Sequence, residues 1–159
     1  MHPELLPEHQ WLLKLVGEWT FESECQMGPD QPVMKNTGTE VVRSIGGLWT
    51  LGEMTSASPA GENWSSVMTL GYDPQKKRFV GTFIASVMSY LWLYDGGLDP
   101  TGKILTLDAE GPGMTPDAGL LKYQDRIEIL NDNERLLSSQ VQGTDGNWQH
   151  FMTARYRRT

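Results

Sequence analysis

From Glu18 to its end the chain alternates polar and apolar residues with a period of two, and turn-forming residues break the alternation about every 10 to 15 positions. Trp19, Phe21, Ser23 and Cys25 interleave with Glu18, Thr20, Glu22 and Glu24, the pattern of a strand with one buried face. The same reading predicts strands near 18–26, 37–45, 48–56, 64–73, 78–87, 90–98, 103–110, 121–130, 134–142 and 147–157. The breaks carry turn chemistry: Gly28-Pro29-Asp30, Gly46-Gly47, Pro59-Ala60-Gly61, Asp73-Pro74, Gly96-Gly97, Pro100-Thr101-Gly102, Asn131-Asp132-Asn133 and Asp145-Gly146. Strands that begin so close together leave no room for crossover helices, so neighbours pair antiparallel. Ten strands in one open meander would leave long unpaired edges. Closure removes them, and an all-β, antiparallel up-and-down barrel is expected.

Ahead of the strands, Pro7 to Val16 reads as a short helix, with Pro7 at its first position, Trp11, Leu12, Leu15 and Val16 on one stripe, and Gly17 as its stop. The 159 residues form one domain, with a helical segment over 1–17 and a barrel over 18–157. At 38% hydrophobic and 21% charged the composition is that of a globular chain. Its net charge of −7 argues against nucleic acid and against an anionic membrane as partner. The single thiol, Cys25, excludes an internal disulfide and a cysteine-built metal site, and reads as a plain buried small hydrophobe. There is no basic stretch followed by an apolar core at the N-terminus, and no apolar run of the roughly 20 residues that span a bilayer. A soluble, cytoplasmic protein is expected.

A barrel of eight to ten strands is wide enough to hold one small ligand. Trp19, Phe21, Trp49, Tyr72, Phe83, Trp92, Tyr94 and Tyr123 are the aromatic candidates for the wall of such a pocket. Two polar candidates accompany them. Glu53 shares the Trp49, Leu51 face, where an apolar setting would raise its pKa and suit it to acid or base chemistry, unless it only pairs with an inward Arg43 or Arg126. His150 shares a face with Trp148, Met152, Ala154 and Tyr156, so an inward face would bring its imidazole into the cavity, where it could relay a proton or ligate haem. A hydrogen-bonded wall residue, or an exposed one if Phe151 and Thr153 point inward, is the plainer alternative. His2 and His9 read as solvated residues, and neither a metal nor haem is expected. Dinucleotide, phosphate-loop and nucleophile-elbow motifs are absent from the sequence. Both faces of the Tyr90–Tyr94 strand are apolar, so the N-terminal helix or a second subunit, as in a homodimer, should cover Leu91 and Leu93.

Gly17-Glu18-Trp19 at the first strand and Ala154-Arg155-Tyr156-Arg157-Arg158 at the last resemble the calycin signature, a Gly-x-Trp sealed by an arginine from the final strand. The resemblance implies that Arg155 or Arg157 stacks on Trp19. The chain is more closely similar to an uncharacterised, mostly bacterial family of lipocalin-like domains. Leu15-Val16-Gly17-Glu18-Trp19, Gly46-Gly47-Leu48-Trp49, Met68-Thr69-Leu70-Gly71-Tyr72-Asp73-Pro74 and Phe151-Met152-Thr153-Ala154-Arg155-Tyr156 carry that likeness. It implies the closed barrel and brings no reaction with it. A more distant resemblance to nitrobindin, a haem-binding barrel, rests on His150 and the Gly-x-Trp start. Three functions stay open: a binder of a small hydrophobic or aromatic molecule, a small isomerase, cyclase or hydrolyase using Glu53 or His150, and a filled barrel serving as an interaction module.

Overall fold

The structure, a computed structural model, describes residues 2–57 and 61–159. A short helix, α1 (Pro7–Leu13), precedes ten strands: β1 (Gly17–Cys25), β2 (Met34–Ile45), β3 (Trp49–Ala57), β4 (Asn63–Asp73), β5 (Arg78–Ala85), β6 (Met88–Leu98), β7 (Ile104–Pro112), β8 (Leu120–Asn131), β9 (Glu134–Gln142) and β10 (Trp148–Arg158). Each strand pairs antiparallel with its sequence neighbours, and β10 pairs with β1 to close the barrel. The predicted turns fall between strands, except that Gly96-Gly97 continues β6 in register with Leu107 and Thr106, where the close approach of the β7 backbone leaves no room for a Cβ at Gly96, and that residues 59 and 60 of Pro59-Ala60-Gly61 lie outside the described residues.

The helix is shorter than the periodicity predicts. After Leu13 the chain tightens, with the Lys14, Leu15 and Val16 amides each bonding three residues back, before Gly17 enters β1. That geometry tucks α1 under one end of the barrel, against β3 and β4. Trp11, Leu12 and Leu15 are buried there with Trp19, Phe79, Leu105, Leu107 and Ile127, and the Trp11 indole donates to the Gly102 carbonyl at 2.7 Å. His9, expected in solvent, is 3% exposed. Its Nδ1 accepts the Leu6 amide at 3.0 Å and its Nε2 lies 3.2 Å from the Tyr72 carbonyl, so both ring nitrogens are satisfied and burial is tolerated.

The seal over Trp19 also differs from expectation. Trp19 pairs in register with Arg158, which shares the inward phase of Tyr156, and the Arg158 guanidinium sits 4.2 Å from the indole centroid. Arg155 and Arg157 are one step out of phase and reach Glu134 on the outside instead. Gly17 makes the approach possible: its φ is 139°, and a Cβ there would stand 2.3 Å from the Arg158 guanidinium. Arg158 further donates to the Val16 and Lys14 carbonyls at 2.6 and 3.0 Å, stapling the last strand to the end of the helical segment.

The helix does not cover the outside of β6. Leu91 and Leu93 are 53% and 63% exposed, beside an equally exposed Ile84 on β5.

Candidate functional site

The barrel is packed at the helix end and hollow above it. A cavity of about 690 Å³ occupies the hollow part, floored by Leu15 and open at the end away from α1, where Met27, Met34, Val87 and Met114 rim the mouth. A chain of edge-on aromatic contacts runs along one wall, Tyr90 to Trp92 at 5.1 Å, Trp92 to Tyr123 at 4.9 Å and Tyr123 to Phe151 at 6.1 Å. Trp92 lies flat against β7 because residue 111 is glycine; a Cβ there would fall 2.1 Å from its ring. Phe21, Trp64, Phe83, Tyr94 and Tyr156 complete the aromatic lining. Every methionine among the described residues also lines the cavity: Met27, Met34, Met54, Met68, Met88, Met114 and Met152. Unbranched, polarizable side chains of this kind can re-pack around ligands of different shape.

Two buried charged centres stand out among the polar groups of the wall. Asp125 on β8 accepts the Tyr94 hydroxyl at 2.5 Å and the Ser139 hydroxyl at 2.6 Å. Burial pushes its carboxyl above the usual carboxylate range, outweighing both hydrogen bonds, which favour the charged form. Burial and the neighbouring Asp125 charge together hold the Tyr94 hydroxyl well above the ordinary tyrosine range, so it remains a donor. Deeper, Glu40 on β2 forms a short ion pair with Arg135 on β9, both side chains almost wholly buried. The Arg135 guanidinium lies 3.9 Å from the Tyr156 ring centroid and 4.7 Å from that of Trp19, while its Nε has no hydrogen-bond partner. Among the described residues no group of three or more His, Cys, Asp and Glu side chains could hold a metal ion.

Residues 4–158 match the family described as "Protein of unknown function (DUF1579)". The chain belongs to that family. No curated protein matches its sequence. Among solved structures it is similar to the crystal structure of Rv2717c from M. tuberculosis, at 18% identity and a TM-score of 0.67 over 98% of this chain and 99% of that one. It is also similar to EF1p2_mFAP2b bound to DFHBI, at 11% identity and a TM-score of 0.52 over 96% and 99% of the two chains. These likenesses show a shared barrel fold.

In this DUF1579 protein the cavity gathers five of the ten residues expected there: Phe21, Phe83, Trp92, Tyr94 and Tyr123. Trp19 and Tyr72 also belong to the inner layer but pack below the floor, Tyr72 edge-on to Phe79 at 5.0 Å. The other three lie outside. Trp49 and Glu53 are exposed on the outer face of β3, whose inward residues are Thr50, Gly52, Met54 and Ser56. His150 is exposed and its Nε2 lies 2.7 Å from the Thr153 hydroxyl. A bulge between His150 and Met152 reverses the phase of β10 there, so Phe151 and Met152 both reach the cavity while His150 does not. Glu53 and His150 are thus both absent from the cavity lining. Cys25 is half-buried and lines the cavity, and burial pushes its thiol up, away from reactivity.

Asp125 makes stability depend on pH with a definite sign. Its raised value means the folded chain keeps the proton to higher pH than the unfolded chain, where a carboxyl titrates near about 3.9. The stabilisation from that proton is complete below about pH 4 and is lost as pH rises through the folded-state value. Asp125→Asn, which cannot ionise, should therefore gain in Tm relative to the wild type between about pH 4 and neutrality. A Tm difference that stays flat across that range would contradict the placement of Asp125.

Proposed function

We propose that this protein is a lipocalin-like carrier or sensor that binds one small hydrophobic or aromatic molecule inside the barrel, working as a soluble cytoplasmic protein without nucleic acid, membrane or cofactor. The observation that carries the reading is the cavity: about 690 Å³, apolar, closed at the helix end and open at the other. That is the size and character of ordinary small-molecule sites. Its lining of aromatic rings and flexible methionines suits an apolar guest. The barrel of EF1p2_mFAP2b, similar in fold, is bound to DFHBI. No helix among the described residues is long and apolar enough to cross a membrane. The hollow upper barrel speaks against the filled interaction module, although the exposed Ile84, Leu91 and Leu93 favour a homodimer through the β5–β6 face. Sedimentation tests that second point.

The binding reading is tested with N-phenyl-1-naphthylamine, a neutral apolar fluorophore. Its emission should rise and shift to the blue in a saturable titration with one site per chain, while emission from Trp64 and Trp92 is quenched. A linear, unsaturated response would show only surface adsorption and end the proposal.

A further inference from the structure

We propose that the cavity is built for a cationic guest, an apolar or aromatic body carrying a protonated amine, with Asp125 as the group that receives the ammonium. The proposal rests on the binding reading above and adds the guest's chemistry to it. Tyr123, Asp125 and Ile127 share the inward phase of β8, and Asp125 lines the cavity on a strand otherwise apolar on that side. A carboxylate has about four lone-pair positions. Tyr94 and Ser139 occupy two of them, one on each oxygen, and both donors are neutral.

Among the described residues no basic side chain pairs with this carboxyl. Among the charged residues that line the cavity, Glu40, Glu62 and Asp125 are acidic and Arg135 alone is basic. Arg135 is committed to Glu40, and its face is covered by Tyr156. None of the ion pairs among the described residues includes Asp125. A buried carboxyl without a cation is expensive to keep charged. A protonated amine entering the cavity would supply the missing charge, donate to the unused lone pairs, and lay its apolar body on the aromatic wall. A carboxylate guest would face the Asp125 carboxyl instead. Among the described residues no cation is in contact with Asp125: Tyr94 faces it from β6 and Ser139 from β9, with Tyr156 of β10 in its field and Leu107 its register partner on β7.

Three probes of one shape separate the possibilities at pH 7.5: 1-naphthalenemethylamine, 1-methylnaphthalene and 1-naphthoate. Isothermal titration of the wild-type protein should show the amine binding about tenfold or more tighter than the hydrocarbon, as expected for a charge-assisted hydrogen bond, with the naphthoate weakest. In Asp125→Asn the amine should fall to the affinity of the hydrocarbon, whose own binding is unchanged and proves the cavity intact. An amine no tighter than the hydrocarbon overturns the inference while leaving the binding reading standing, and so does an amine preference that survives in Asp125→Asn. If no probe saturates, both fall together. The same contact can be read without any variant, from the side-chain carboxyl carbon of Asp125 in 13C-labelled wild-type protein. It should shift with the amine and stay in place with the hydrocarbon, and an unmoved signal overturns the inference.

Discussion

Replacing Arg135 with leucine should destabilise the protein by about 3–5 kcal/mol, because Glu40 would be left as a buried charge without a partner. The two side chains are only 5% and 11% exposed, so water replaces the guanidinium poorly. In a chain of this length the loss should appear as a fall in Tm on the order of 10 °C. The double variant Arg135→Leu with Glu40→Leu should recover most of that loss, since a buried ion pair replaced by apolar groups of similar volume is often nearly neutral. Thermal unfolding of the two singles and the double decides the matter. Additive losses would mean that the pair is not coupled and that the guanidinium acts chiefly through its contacts with Trp19 and Tyr156.

Trp19→Ala should be comparably damaging, at about 3–5 kcal/mol for truncating a large buried aromatic. The indole is 2% exposed. It donates to the Leu15 carbonyl at 2.9 Å and lies beneath two guanidinium groups, those of Arg135 and Arg158. Its removal opens the packed end of the barrel and loosens the junction between the helical segment, β1 and β10. Chemical denaturation measures the loss, and a value below roughly 1 kcal/mol would contradict the sealed end described above.

The strands were legible because backbone geometry writes its period of two directly into the sequence, and the turns between them use residues with few alternatives. The ends that the alternation predicts lie within three residues of those observed in every strand. The site was legible only where large side chains happen to point inward. On β3 the bulk of Trp49 and Leu51 suggests that their face is the buried one. A hollow barrel inverts that logic: Thr50, Gly52 and Ser56 face the interior, and Trp49 rests outside against Gly71, where a Cβ would come within 2.2 Å of the ring. The Glu53 expectation failed for the same reason. His150 was misplaced by a bulge that leaves no mark in the alternation. Asp125 does carry a signal in the sequence, since an inward Tyr123 puts Asp125 inward two residues later. Arg135 likewise shares its phase with Leu137, Ser139 and Val141. Charged residues on an inner face contradict the usual burial rule, and only the closed topology shows that Glu40 and Arg135 meet across the barrel.

The central claim, that an apolar molecule occupies the barrel interior, is tested most directly by methyl 13C NMR of labelled methionines during a titration with 1-methylnaphthalene. Met54, Met68 and Met152 line the cavity from within the strands, whereas Met27, Met34 and Met88 are exposed near its mouth. A guest inside the barrel should shift the signals of Met54, Met68 and Met152 along one saturable curve, with ring-current shifts from the bound naphthalene. Saturation with those three signals unmoved, or shifts confined to Met27, Met34 and Met88, would leave the guest at the mouth or on the surface rather than inside the barrel and contradict the account.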